Sequence, residues 1–180
     1  MNVKDIIKGC QRYDKKYQLA LVKKYSGFLK TVCRTYAHDD SSAKDILQEA
    51  FIIIFTKIEN YKPTGSFEGW MRTITVNCAL NWLRKKKLIK KTDMVAVRED
   101  LIAPKVYHDL SKEDVIKILQ ELSDVQRTVF ALNVLEGYSH KEIAEELGIK
   151  EATSRSHFLR ARKKLQEKIK LQQIKLSRAI

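Results

Sequence analysis

Gly148 stands between two helical patterns, and that placement constrains the chain more than any other feature in it. Before it, Ser139 and Glu142 have the spacing of a capping box, with Tyr138 set to staple onto Ile143. Ile143, Ala144 and Leu147 then form one buried stripe. Gly148 falls just past that helix, where the backbone needs a left-handed φ. A short turn, Gly148-Ile149-Lys150, leads into a further helix from about Ala152. Upstream, Ser123 and Gln126 make another capping-box pair, and Val125, Val129, Leu132 and Leu135 keep one apolar face that ends at Gly137. Helix, glycine turn, helix is the helix-turn-helix pattern, and the small Ala144 lets the two helices approach closely.

The faces of the last helix say more. With Phe158 taken as inward, helical spacing puts Ser154, Ala161, Leu165 and Ile169 on the same side. Thr153, Ser156, His157, Arg160, Lys163 and Lys164 point outward, with Arg155 and Leu159 on the flanks. A helix that projects bases and small hydroxyls, carried on a preceding helix, suits the major groove of DNA. The formal net charge of +13 also favours a polyanionic partner.

Two prolines and six glycines in a strongly helical pattern predict an all-α chain. Cys10, Cys33 and Cys78 are odd in number and far apart, so each is expected as a buried thiol rather than part of a disulfide or zinc site. The polar start M-N-V-K-D-I-I-K does not read as a signal peptide, and no apolar run reaches membrane-spanning length. The reducing cytosol is therefore the expected compartment. There is no Gly-rich phosphate loop, no H-E-x-x-H and no nucleophile elbow. His38, His108, His140 and His157 lack ligand spacing. No catalytic set, metal, cofactor or small-molecule substrate is expected.

Residues 1 to about 38 carry helical spacing. Ile6, Ile7 and Cys10 form a short stripe, and Tyr17, Leu21, Tyr25, Phe28, Val32 and Tyr36 a longer one. Asp39-Asp40-Ser41-Ser42 breaks this run and starts a new helix. Its period through Ala43, Ile46, Leu47, Ala50, Ile54 and Ile58, with an apolar run from Phe51 to Phe55, predicts a helix buried centrally in its domain. Asp45, Gln48 and Glu49 lie on its more polar side, which on the residues alone is a solvated face. Pro63 and Gly65 mark a loop from Glu59 to Ser66. Ser66 then caps a helix in which Phe67, Trp70, Met71 and Trp82 alternate with Asn77, Asn81 and Arg84. Aromatics interleaved with amides and bases suit unpaired nucleic acid: rings stack, Asn reads base edges, and cations take phosphates. Phe67 is expected as a core anchor, and Asn77 and Asn81 as functional. Periodicity fades from about Leu88 to Leu110, as in an interdomain linker. Ser111 and Asp114 restart a helix with Val115, Ile118, Leu119 and Leu122 as its stripe.

The two halves together resemble the extracytoplasmic-function sigma factors of bacteria. The resemblance is carried by S-A-K-D-I-L-Q-E-A-F at 42–51 and S-F-E-G-W-M-R-T-I-T-V-N-C-A-L-N-W-L-R at 66–84. In the second half it is carried by the helix-turn-helix stretch from Leu122 and the T-S-R-S-H-F-L-R-A-R-K-K-L that follows. It implies an all-α fold of two small domains joined by a flexible linker: a clamp- and −10-binding domain at 1–91, the linker at 92–110, and a −35-binding helix-turn-helix domain at 111–180. It implies a sigma subunit that directs core RNA polymerase to promoters. Asp45, Gln48, Glu49 and Phe51 would dock on the β′ clamp, and the second domain on the β flap. Tyr61, Lys62, Thr64 and Ser66, with Asn77, would capture a flipped base of the melted −10 element. Asn81 and Arg84 would hold backbone nearby. Arg155, Ser156, Leu159 and Arg160 match the family's −35 readers, and the outward positions Thr153, His157 and Lys163 join them. The family's further partner is an anti-sigma factor, often membrane-bound. Ser42, Ser154 and His157 depart from the usual Asp, Val and Arg. A free-standing helix-turn-helix regulator is the alternative reading, and an RNA-binding protein would explain the aromatic and Asn set but not the last helix.

Overall fold

The computed structural model describes residues 2–86 and 112–177, with side chains placed as far as residue 170. All regular structure in these residues is helical. Chain contacts divide the protein into two compact units, Met1–Lys86 and Lys87–Ile180. The linker expected at 92–110 and the Ser111 cap lie outside the described residues.

The first unit is built from α1 (Val3–Gln11), α2 (Lys15–Tyr36), α3 (Asp40–Lys57), a single 3-10 turn (Ile58–Asn60) and α4 (Phe67–Lys85). The helical spacing of residues 1–38 is broken at Arg12–Asp14. There Tyr13 takes a left-handed φ of 59° and Asp14 caps α2 by accepting the Lys16 N–H at 2.8 Å. The elbow is tied to the 3-10 turn. Tyr13 donates its hydroxyl to Glu59 at 2.8 Å, and the Gln11 amide donates to the Ile58 carbonyl at 3.1 Å. Asp39 and Ser66 cap α3 and α4 as the sequence reading expects, accepting from the N–H groups of Ser42 and Gly69.

The core lies where α2, α3 and α4 meet, and includes Leu21, Leu29, Tyr36, Ile46, Ile54, Met71, Leu80 and Leu83. Each such aliphatic side chain contributes about 1.5–3 kcal/mol on burial. The three cysteines are buried and free. Burial pushes the Cys33 thiol up to about 12 and those of Cys10 and Cys78 to about 11, which disfavours the reactive thiolate at all three. One expectation fails: α3 is not buried all round. Ala43, Ile46, Ala50 and Ile54 face the core, but Ile52 is 60% exposed and Phe51 is only half-buried. Two neighbouring helices, α2 and α4, cover α3, and two neighbours leave part of the circumference open.

The second unit contains α5 (Lys112–Gln120), α6 (Asp124–Val134), α7 (His140–Leu147) and α8 (Glu151–Ser177). Ser123 caps α6 by accepting from Gln126 N–H, and the Ser139–Glu142 capping box of α7 forms in both directions. Gly148 has φ 64°, the left-handed turn that its position in the pattern requires, and Ile149 N–H returns to the Ala144 carbonyl at 3.0 Å. Ile118, Leu119, Leu122, Ala161 and Leu165 form one apolar cluster, with Phe130 and Ile169 packed on it.

Two apolar residues of the expected stripes turn outward. Val115 is exposed and Ile116 is buried instead, while Leu135 is exposed because α6 stops at Val134 and the chain turns away through Gly137. Arg127, unremarked in the sequence, is fully buried. Its guanidinium donates to the Leu122 carbonyl at 3.3 Å and to the Asp124 carboxylate. Burial lowers its pKa, and Asp124 opposes that shift. Further along the helix, α8 is anchored to the end of α5: Lys164 Nζ donates to the Glu121 carbonyl, and Lys168 pairs with the Glu121 carboxylate.

Candidate nucleic-acid interface

In the first unit, helical periodicity gathers Ser66, Trp70, Thr73, Asn77, Asn81 and Arg84 along one side of α4 and its cap. All are exposed except Trp70, which is half-buried. Arg84 donates to the Asn81 side-chain carbonyl at 2.8 Å, which holds an amide and a guanidinium together. At the head of the stripe, Tyr61 packs on Phe67 and on Trp70, each with ring centroids 5.0 Å apart, and Phe67 stacks on Trp70 at 5.5 Å. Phe67 is buried, as a core anchor. The Tyr61 hydroxyl donates to the Gly65 carbonyl at 3.2 Å and folds the loop back on itself, leaving Lys62, Thr64 and Ser66 exposed. The arrangement offers a partly open aromatic ring, then amide groups, then a cation. Those groups suit stacking, base-edge contacts and phosphate contacts in that order. Thr73 was not among the sequence candidates, and Trp70 was named there only as one of the interleaved aromatics, although their spacing from Ser66 and Asn77 places them on the same stripe.

The α3 candidates divide. Asp45 and Gln48 are exposed on one face together with Ile52, an apolar residue that the sequence reading had buried. Glu49 instead pairs with Lys85 of α4 at 3.5 Å. Phe51 is half-buried and stacks on Phe55 at 6.0 Å.

On α8 the expected face needs correction. Thr153 and His157, placed outward from sequence, are only 6% and 8% exposed. The buried seam is centred roughly 70° of helix away from Phe158. It runs through Thr153, Ser154, His157, Ala161 and Leu165, because α6 and α7 both pack against α8. Phe158 lies at its edge, stacked on Phe130 at 5.9 Å and edge-on to His140 at 5.4 Å. Arg155 and Lys163 are exposed, and Ser156, Leu159 and Arg160 are half-exposed, so these five remain available to a duplex. Arg155 pairs with Glu151 one turn earlier at 2.7 Å.

Burial pushes the imidazole pKa values of His140 and His157 down. The positive charge of Arg155 adds to this at His140, against the opposing charge of Glu151, and that of Arg160 adds to it at His157. The buried Nδ1 of His157 has no hydrogen-bond partner. Among the described residues no group of three or more His, Cys, Asp or Glu could hold a metal ion, and no helix is long and apolar enough to cross a membrane.

The four-helix unit built on a helix-turn-helix and the helical unit before it each match a region of the sigma-70 class of transcription initiation factors. Residues 21–89 match sigma-70 region 2, and residues 112–165 match sigma-70 region 4. The ECF RNA polymerase sigma factor SigE of Mycolicibacterium smegmatis is 32% identical over 154 residues, which are 82% of this chain and 59% of that relative's length. The RNA polymerase sigma factor CarQ of Myxococcus xanthus is 30% identical over 146 residues, 78% of this chain and 80% of CarQ. A solved structure, the sigma factor RpoE in complex with the anti-sigma factor NepR from Bartonella quintana, is 25% identical. It covers 84% of this chain and 95% of that one, with a TM-score of 0.49.

The chain belongs to the extracytoplasmic-function sigma factor family. It is an RNA polymerase sigma factor that directs promoter-specific initiation, and it is not an enzyme. Like the family, it binds RNA polymerase and promoter DNA. A free-standing regulator would leave the region 2 match without a purpose, and that alternative is set aside.

Proposed function

We infer that the labour of initiation is divided among three surfaces. The open face of α3, with Asp45, Gln48 and Ile52, and with Phe51 at its edge, docks on the β′ clamp; Glu49 shapes it from the side. The Tyr61–Ser66 loop and the α4 stripe from Trp70 to Arg84 capture the unpaired −10 strand. Arg155, Ser156, Leu159, Arg160 and Lys163 of α8 meet the −35 duplex, with the second unit seated on the β flap. The domains are 1–91 and 111–180, and 92–110 links them. The sigma factor works in the cytoplasm and is held by an anti-sigma factor until released.

The observation that carries this reading is the α4 stripe. Extruding a base from a duplex costs a few kcal/mol, and stacking must return most of that. Trp70, braced by Tyr61 and Phe67, supplies a fixed ring for stacking, and Asn77 lies two turns along the same face. The test is reconstituted transcription with core polymerase on a duplex promoter, with opening followed by permanganate reactivity of unpaired thymines. Asn77→Ala and Trp70→Ala are expected to reduce opening at least about tenfold while initial duplex binding falls less than about twofold. Equal loss in both steps, or loss in neither, would remove the stripe from strand capture.

A further inference from the structure

Ser154 carries a hydroxyl into the fully buried seam between α7 and α8, with 0% of the residue exposed. A buried hydroxyl without a partner is costly, and an apolar residue would suit the seam better. The partner is His140, on the first turn of α7, whose Nδ1 lies 2.9 Å from the Ser154 oxygen. The same imidazole stands edge-on to Phe158, one turn further along α8, and Phe158 stacks on Phe130 of α6. His140 therefore holds α8 at two successive turns.

The two contacts differ in kind. Apolar packing tolerates small rolls of one helix on another, whereas a hydrogen bond works only within a few tenths of an ångström and a limited angle. The bond thus selects one roll of α8. That roll matters because Arg155 and Ser156 follow Ser154 directly in the chain, and Leu159 follows Phe158. Side-chain tips lie roughly 6 Å from a helix axis, so a roll of about 20° moves them about 2 Å, enough to break a base-edge contact.

We propose that His140 is a positioning residue for promoter readout: through Ser154 it sets the roll of α8 and so fixes where Arg155, Ser156 and Leu159 meet the duplex. The proposal rests on the reading of α8 as the −35 helix.

The test uses the full chain with core polymerase and duplexes selected from a randomised −35 library by the unaltered protein. The readout is discrimination, the affinity for the selected duplex over that for the unselected pool. His140→Ala and Ser154→Ala are each expected to lower discrimination about tenfold, and the double variant no further, since both remove one bond. His140→Asn, which returns a polar group near the Nδ1 position, is expected to recover most of it. Affinity for the unselected pool stays within about twofold, because phosphate contacts carry it. Unchanged discrimination in His140→Ala, or losses that multiply in the double variant, overturn the proposal; so does a lowered melting point with discrimination intact. Where His140→Ala does not fold, Ser154→Ala decides alone: reduced discrimination supports the proposal and unchanged discrimination overturns it. Arg155→Ala tests the underlying reading separately. If it leaves discrimination intact, α8 is not the reader, and the inference falls with that reading rather than on its own account.

Discussion

Gly9 and Gly27 both lie inside helices of the first unit, and the same substitution at the two sites should have opposite effects. Alanine in place of glycine in a helix interior gains about 0.5–1 kcal/mol, because glycine loses more backbone freedom on folding. At Gly27 an added methyl meets nothing within 4 Å, so that gain should be realised. At Gly9 an added Cβ would lie 2.1 Å from Cγ of Tyr17, 2.3 Å from Cδ2 and 2.6 Å from Cβ. Ordinary carbon contacts need about 3.5–4.0 Å. A χ1 change can move Cγ and Cδ2 but not Cβ, which stays at 2.6 Å in every rotamer, so α1 must move off α2. Overpacking of this kind costs about 1–3 kcal/mol or more, which exceeds the helix gain. Gly9→Ala should therefore destabilise the unit by about 1–2 kcal/mol and lower its melting point by about 5–10 °C, given the sensitivity of a domain of this size. Gly27→Ala should raise it by a few degrees. The chain has two tryptophans, Trp70 and Trp82, and both lie on α4, so thermal unfolding followed by tryptophan fluorescence reports the first unit alone. In a Tyr17→Ala background, which removes the Cγ and Cδ2 contacts but keeps Cβ at 2.6 Å, the Gly9→Ala penalty should shrink. A melting point at or above that of the unaltered protein for Gly9→Ala, or an undiminished penalty without the tyrosine ring, would refute the argument.

Ser154→Val, which the sequence alone would rank as stabilising by about 1 kcal/mol through added methyls, should instead lower the stability of the second unit by about 1–2 kcal/mol. It loses the His140 bond and sets an apolar side chain against the part-buried His140 Nδ1, as chemical denaturation followed by circular dichroism would show. The second unit should also weaken as pH falls. His140 and His157 have folded pKa values depressed below the ordinary 6.5, so the unfolded chain takes up protons first, and stability present above about pH 6.5 is lost as the pH falls through the lower folded values. Replacing both with Asn should flatten that slope in thermal melts, and an unchanged slope would exclude these imidazoles. Asp45→Lys should reduce co-purification with core polymerase at least about tenfold without loss of helicity, because it reverses charge on the open face of α3. Glu49→Lys is a poorer probe, since it also sets a lysine against Lys85.

The helical class, the helix-turn-helix and the starts of α3, α4, α6 and α7 were legible in the residues. Asp39, Ser66, Ser123 and Ser139 bond N–H groups three residues ahead, and Gly148 turns left-handed one residue past its helix. Such bonds close within a single turn, so the order of the residues decides them. The break at Tyr13 was not legible, because its hydroxyl is bonded to Glu59, 46 residues away. The inward faces were legible at their centres but not at their edges. Apolar periodicity in α3, α5 and α8 leaves boundary residues that fit either side, and only the position of neighbouring helices decides among them. That is why Ile52 lies open, Ile116 replaces Val115, and Thr153 and His157 turn into the seam. Ser154 looked like a misplaced hydroxyl until α7 brought His140 to it across 14 residues. Capping is settled by atoms a few bonds apart, but the roll of a helix is settled by surfaces that meet only once the chain has folded.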